Sequence, residues 1–226
     1  MGLFPDNLTS GIQGGFSFAL PLAEKYRPLT IGDFIGLSKQ KKILSGLAKA
    51  PRECALLFHG ASGVGKSTMA QAFCNEINGE LHHITSQQAN VQTLDDIVRM
   101  CWYVPNKGTF HVVLCDELHG CSNAFLLALY SKLDSTARIP RTIWVFTTNY
   151  TLPEMELKFD RSFLSRCMVM EFSNYGLRGE LAGLLANVWQ QETGNTGTLD
   201  FERIAKDSTN NVRAALSALE MELLSQ

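Results

Sequence analysis

Residues 55–68 read Ala-Leu-Leu-Phe-His-Gly-Ala-Ser-Gly-Val-Gly-Lys-Ser-Thr, and no other stretch restricts the fold of this chain so tightly. Ala55 to Phe58 has the unbroken apolar character of a strand buried on both faces, and Met69 to Phe73 continues as a helix. Between them Gly60, Gly65, Lys66 and Ser67 fill the four fixed places of G-x-x-x-x-G-K-[ST]. Glycines at 60, 63 and 65 let the backbone coil closely enough for successive N–H groups to converge on one anion. The start of the following helix adds its partial positive charge there. Lys66 reaches the terminal phosphates and the Ser67 hydroxyl can ligate Mg2+. The stretch therefore predicts a nucleoside triphosphate site, with Gly60, Ala61, Ser62, Gly63, Val64, Gly65, Lys66, Ser67 and Thr68 around the phosphates. A chance glycine-rich turn is the alternative, and it leaves the matched spacing between strand and helix unexplained.

The rest of the composition bounds what surrounds that site. The chain has 226 residues, 45% hydrophobic and 19% charged, which suits a globular protein with a sizeable core. A net charge of −2 gives no global field that would draw in DNA or an anionic membrane, so nucleic-acid contacts must come from local patches or from an oligomer. The six cysteines, at 54, 74, 101, 115, 121 and 167, form no C-x-x-C pair. Cys54, Cys74 and Cys115 fall inside apolar patterns, where a thiol packs as a small hydrophobe. The expectation is a reduced, cytoplasmic protein without a zinc site or disulfides. No apolar run approaches 18 residues and the N-terminus has no basic signal-peptide region, so no membrane partner is expected.

Taken in order, residues 1–20 mix Gly, Ser and Asn with isolated aromatics (Leu3, Phe4, Phe16 and Phe18 among the apolar ones) and read as a flexible arm. A helix is expected at about 38–49, capped by Ser38. After the helix at about 66–77 come a strand at 81–85, a polar loop at 85–92 and a helix from Thr93 to about Trp102. Residues 110–115 form a convincing buried strand, 123–133 an amphipathic helix, 142–147 another strand and 168–172 the last one. From about Ser173 the pattern is helical only, at about 178–192, 199–206 and 210–224, with Gly194-Asn195-Thr196-Gly197 as a break. The expected fold is an α/β parallel sheet at 21–172 followed by a small helical lid at 173–226.

Asp116-Glu117 stands at the carboxyl end of the 110–115 strand, the edge where open α/β sheets bind ligands. Asp116 there would hold Mg2+, and Glu117, pointing elsewhere, would orient and deprotonate an attacking water. Asn149 ends the next strand, where a neutral amide can hold the water or the γ-phosphate; Asn is also common in turns. Arg166, in Ser165-Arg166-Cys167, reads equally as a surface charge or as an arginine finger onto a neighbouring subunit's γ-phosphate. Arg213, near the start of the final helix, reads as an exposed charge or as a lid contact to the phosphates.

These elements in this order resemble AAA+ ATPases, and more narrowly the small motor subunits of sliding-clamp loaders of the replication factor C type. The resemblance rests on Glu24-Lys25-Tyr26-Arg27-Pro28, the loop at 60–68, Asp116-Glu117, Ser165-Arg166-Cys167 and Asn211-Val212-Arg213-Ala214-Ala215-Leu216, and spans about residues 22–226. It implies ATP and Mg2+ as cofactors, Tyr26, Arg27 and Pro28 on the adenine side, Asn149 as γ-phosphate sensor, Arg166 as a finger in trans and Arg213 as lid sensor in cis. It also implies DNA in a central chamber, and Ile97-Val98-Arg99 makes Arg99 the candidate contact to the DNA backbone, a nonspecific and salt-sensitive one.

Three departures are visible. The helical collar domain of such subunits has no counterpart here, so self-assembly, or assembly with related AAA+ subunits, is expected to run through ATP and the Arg166 interface. The usual acidic box reads Asp116-Glu117-Leu118-His119, and the zinc-binding cysteines of the bacterial loader are absent. The implied activity is a DNA-acting ATPase that loads or recruits a replication or recombination protein. An ATP-gated scaffold of the helicase-loader or transposition-regulator kind, with hydrolysis timing disassembly, is the alternative. An unfoldase would need an aromatic in the loop 85–92, which has none, and a small-molecule kinase would leave Asn149, Arg166 and the lid without roles.

Overall fold

A computed structural model describes residues 20–134, 139–195 and 199–225. The arm expected at 1–20 and the Thr196-Gly197 half of the expected break therefore lie outside the described residues, apart from Leu20. The chain divides into two compact units.

The larger unit holds residues 29–31 and 37–173. Five strands, β1 Cys54–His59, β2 Glu80–Ile84, β3 His111–Cys115, β4 Thr142–Thr148 and β5 Cys167–Glu171, form one sheet in the order β2-β3-β4-β1-β5. Every neighbouring pair is parallel, as βαβ crossovers require. Helices on both faces explain why β3 and β4 are buried along their whole length and β1 from Ala55 onward. On one face Leu57, Val113 and Phe146 pack with α4 (Val91–Cys101), α5 (Asn123–Lys132) and α7 (Arg161–Arg166) through Leu94, Ile97, Phe125, Leu129 and Phe163. On the other, α3 (Lys66–Glu76) lies over β2, β3 and β4 with Met69, Ala70 and Phe73 fully buried. Removing a side chain such as Leu57 from a core this closed costs about 2–5 kcal/mol.

Helix boundaries follow their caps. Asn90 accepts from the Thr93 N–H, so α4 starts two residues before the expected Thr93. Ser122 caps α5 and Asp160 caps α7 in the same way. Ser38 does not cap α2 (Ser38–Lys49) as expected; it is the first helical residue, preceded by Leu37 in the left-handed region at φ 52° without a side-chain cap. A short helix α6 (Leu152–Lys158) opens with a capping box between Thr151 and Glu154.

The smaller unit is helical: α8 (Arg178–Thr193), α9 (Phe201–Asp207) and α10 (Val212–Leu224). Gly194 ends α8 in the left-handed conformation at φ 72°, and Asn211 caps α10 on Ala214. The unit differs from the expected 173–226 lid in also containing residues 20–28 and 32–36. The physical reason is burial. Leu22 and Tyr26, on the one-turn helix α1 (Leu22–Lys25) and its cap, enter the core formed by Leu181, Leu185, Trp189 and Leu216. Among the described residues no helix is long and apolar enough to cross a membrane.

Candidate nucleotide site

Strand order assembles the site. β4 lies between β1 and β3, so the loop after β1, the acids after β3 and the amide after β4 meet at one edge of the sheet. Gly60 leaves β1 at φ 142°, and a Cβ there would meet the Phe172 carbonyl oxygen at 2.0 Å, so only glycine fits. Gly65, at φ 91°, turns the chain into α3.

Lys66 is almost fully buried, and its ammonium donates to the carbonyls of Gly60 (2.8 Å) and Ala61 (2.7 Å) and to Asn149 Oδ1 (2.9 Å). Burial pulls its pKa down to about 8, against the opposing charges of Asp116 and Glu117. A terminal phosphate would give this buried cation a full negative partner in place of carbonyl dipoles.

Ser67 Oγ donates to Asp116 Oδ1 at 2.6 Å, and Thr147 Oγ1 donates to the same oxygen. His83 Nε2 lies 3.6 Å from Asp116 Oδ2. Burial alone would raise the pKa of Asp116, but the bonds from His83, Ser67 and Thr147 prevail and hold it at about 2. The acid is ionised throughout the physiological range. A hydroxyl and an ionised carboxylate this close are the hard oxygen donors that Mg2+ takes, so the residues present fit that ion. Glu117 follows at φ 57°, its N–H donating to Thr147 Oγ1 (2.9 Å) and its side chain exposed.

Asn149 is held from behind. Its N–H donates to His119 Nδ1 (3.3 Å), its side-chain nitrogen lies 3.2 Å from His119 Nε2, and the His119 ring meets Tyr150 edge-on.

Arg166 lies elsewhere. It ends α7 immediately before Cys167, which pairs with Ala55 near the start of β1. It therefore sits at the amino edge of the sheet, the edge opposite to Lys66. Its guanidinium forms an ion pair with Asp134 (3.0 Å) and donates to Ser162 Oγ (3.3 Å). Arg99, on the exposed surface of α4, is paired with Asp96 at 3.3 Å.

The residues expected at the base and from the lid belong to the smaller unit. Tyr26 donates to Glu192 Oε1 (2.5 Å), and burial together with that carboxylate pushes its pKa well up. Arg27 pairs with Glu24, Pro28 is half-buried, and Arg213 is exposed on the first turn of α10.

Residues 56–175, more than half of the chain, match the model of the ATPase family associated with various cellular activities (AAA). The chain belongs to the AAA family. This AAA chain is 23% identical to DNA polymerase III subunit gamma of Buchnera aphidicola, with 88% of the chain and 59% of that protein covered. It is 27% identical to replication factor C subunit 3 of Blastobotrys adeninivorans, with 89% and 60% covered. It thus spans about three fifths of the length of these relatives. The Thermotoga maritima RuvB Holliday junction branch migration motor shares the fold, with a TM-score of 0.68 at 22% identity over 86% of the chain and 64% of that structure.

Three residues of the AAA site carried no signal in the sequence. Thr147, His83 and His119 each look like ordinary strand or turn residues, and only the β2-β3-β4-β1 order brings them onto Asp116, Glu117 and Asn149. The thiols behave as expected for packed cysteines. Burial pushes Cys54 and Cys74 up to about 11 and Cys115 well above the ordinary thiol value, so all three stay protonated.

Proposed function

We propose that this AAA chain binds and hydrolyses ATP with Mg2+, completes its active site with Arg166 of a neighbouring subunit, and acts on DNA to load or recruit a replication or recombination protein. One observation carries the reading. Lys66, Ser67, Asp116 and Asn149 converge at the carboxyl edge of the sheet, whereas Arg166 stands at the amino edge. A five-residue strand spans about 15 Å, so Arg166 stands too far along the sheet to serve the phosphates of its own chain, which supports a role toward those of a neighbour in exchange for Asp134.

The geometry supports the following roles. Backbone N–H groups of 60–68 and the start of α3 bind the phosphates, and Lys66 neutralises the terminal ones. Ser67 and Asp116 would hold Mg2+, which would offset the charge developing on the phosphates. Glu117 accepts a proton from the attacking water, and Asn149 positions that water or the γ-phosphate. Arg166 in trans stabilises the transition-state charge. Tyr26, Arg27, Pro28 and Arg213 are kept as nucleotide contacts on their motif resemblance. Arg99 is the DNA-backbone candidate, and any phosphate it meets competes with Asp96. Related chains named as DNA polymerase III and replication factor C subunits support both DNA and an assembly of AAA subunits as partners.

Steady-state ATP hydrolysis with and without primed and single-stranded DNA at low salt tests the proposal. DNA should stimulate turnover, and Arg99→Ala should weaken that stimulation and flatten its salt dependence. Turnover indifferent to both kinds of DNA would remove the DNA-loading role.

A further inference from the structure

We infer that His82, Cys101 and His111 form a binding site for one divalent transition-metal ion, with zinc the chemistry that suits the ligands best. The site lies away from the nucleotide site and has a separate origin in the fold. His111 opens β3 opposite Glu80 of β2, so Glu80, His82 and His111 share one face of the pleat. That is the face α4 covers, and Cys101 is the last residue of α4.

The three ligand atoms all lie within 4.8 Å of one another. Cys101 and His111 are about 1% and 2% exposed, and His82 is half-buried. His82 Nε2 is 2.9 Å from His111 Nδ1. Two imidazole nitrogens on a tetrahedral zinc stand about 3.3 Å apart, and a sulfur and a nitrogen about 3.6 Å, from bond lengths of roughly 2.0–2.3 Å. The rings need to part by less than half an ångström, and the thiol to close by about one.

The surroundings are those of a metal ligand shell. His111 Nε2 donates to the Tyr103 carbonyl at 3.0 Å, which fixes the tautomer and turns the Nδ1 lone pair toward His82 and Cys101. Glu80 Oε2 lies 3.5 Å from His111 Nδ1, and the carboxylate is oriented by the backbone N–H (2.7 Å) and side-chain amide (2.9 Å) of Asn106. Its two oxygens are engaged by Asn106, which leaves the fourth position of the ion to water. Two nitrogens and a thiolate select zinc over magnesium or calcium. On binding, the metal forms one bond to sulfur and two to nitrogen. The Cys101 thiol proton leaves to solvent, and the His82 ring proton moves from Nε2 to Nδ1. Without metal the same groups form a neutral relay, His82 Nε2–H to His111 Nδ1 and His111 Nε2–H to Tyr103. The ion would tie the end of α4 to β2 and β3, a structural rather than a catalytic task.

The test is a titration of the full chain, stripped with a chelator and free of nucleotide, with Co2+ alone. One equivalent should produce the near-ultraviolet thiolate-to-cobalt charge-transfer band and the strong visible bands of tetrahedral cobalt, and Zn2+ should displace it. Zn2+ at a hundredfold excess over its dissociation constant should raise Tm by about 5–10 °C. Cys101→Ser should lose the charge-transfer band, and Cys121→Ser should keep it. His82→Gln alters only a half-buried position and should lose the thermal shift even if the buried variant folds poorly. Absence of the thiolate band in the wild type, its persistence in Cys101→Ser, or an undiminished thermal shift in His82→Gln would overturn the site and leave the relay alone.

Discussion

Lys66 Nζ stands 2.9 Å from Asn149 Oδ1, linking the first helical residue after β1 to the residue that follows β4. The amide proposed to read the terminal phosphate is thus already in contact with the cation proposed to bind it. His119 holds the same Asn149 from the other side through its N–H and its amide nitrogen. On the proposed roles, phosphate binding would be felt at the end of β4.

Replacing Asn149 with alanine is expected to leave ATP affinity close to wild type while lowering kcat by about 10²-fold, as loss of one preorganised polar group does. His119→Ala should give a smaller loss in kcat with unchanged KM, because it acts through Asn149. Equilibrium binding together with steady-state kinetics separates the two effects.

Lys66→Ala should abolish nucleotide binding. The pH dependence of the wild type is a finer probe. In the folded protein Lys66 loses its proton near pH 8, well below the ordinary lysine value. This group alone makes the fold gain stability as pH rises from about 8 to 10.5, since the unfolded chain then binds the proton more tightly. Nucleotide binding runs the other way. A phosphate favours the charged lysine, so ATP binding at pH 8 to 9 should take up protons. Calorimetry in buffers of different ionisation enthalpy should reveal that uptake, and a buffer-independent heat would remove Lys66 from the phosphate site.

Asp116 has the opposite sign. Its folded pKa of about 2 lies below the ordinary carboxylate value, so its contribution is complete above about pH 4 and is lost as pH falls from 4 to 2. The contribution is about 2 kcal/mol from a shift of this size. Asp116→Asn should flatten that part of the acid-stability curve. It should also bind ATP but fail to hydrolyse it when Mg2+ is added, because one of the two hard ligands beside Ser67 has lost its charge. Acid titration of Tm and a hydrolysis assay check the two halves.

Gly60→Ala places a methyl group 2.0 Å from the Phe172 carbonyl and strains a backbone that favours glycine. A Tm lowered by about 5–10 °C is expected from clash and strain together. Gly46→Ala, where a Cβ meets nothing within 4 Å inside α2, should be neutral or mildly stabilising.

What was legible in the sequence was local. The strands at 54–59 and 111–115 announce themselves because they are buried on both faces, and the loop at 60–67 because its spacing is a covalent property. What was hidden depended on strand order or on competing local costs. His83 and His119 become site residues only when β3 and β4 lie next to β2 and β1 as they do. The Leu37 cap, in a conformation that leucine rarely takes, has no sequence signature, and Ser38 offered a false one. Leu22 and Tyr26 sit on a single helical turn too short to show which core they enter, and they enter the helical one. Arg166 is legible as a residue before a strand, but not as one that stands at the edge opposite to Lys66.

The most direct measurement mixes two inactive variants. Glu117→Gln removes the base but leaves Arg166 to offer, and Arg166→Ala removes the finger but leaves the phosphate site and Glu117 intact. Each alone should lose at least about 10³-fold in ATP turnover. An equimolar mixture should recover a substantial fraction of wild-type turnover, because Glu117→Gln subunits supply the finger to Arg166→Ala sites. Wild-type turnover by Arg166→Ala alone, or a mixture no more active than its components, would contradict completion of the site in trans.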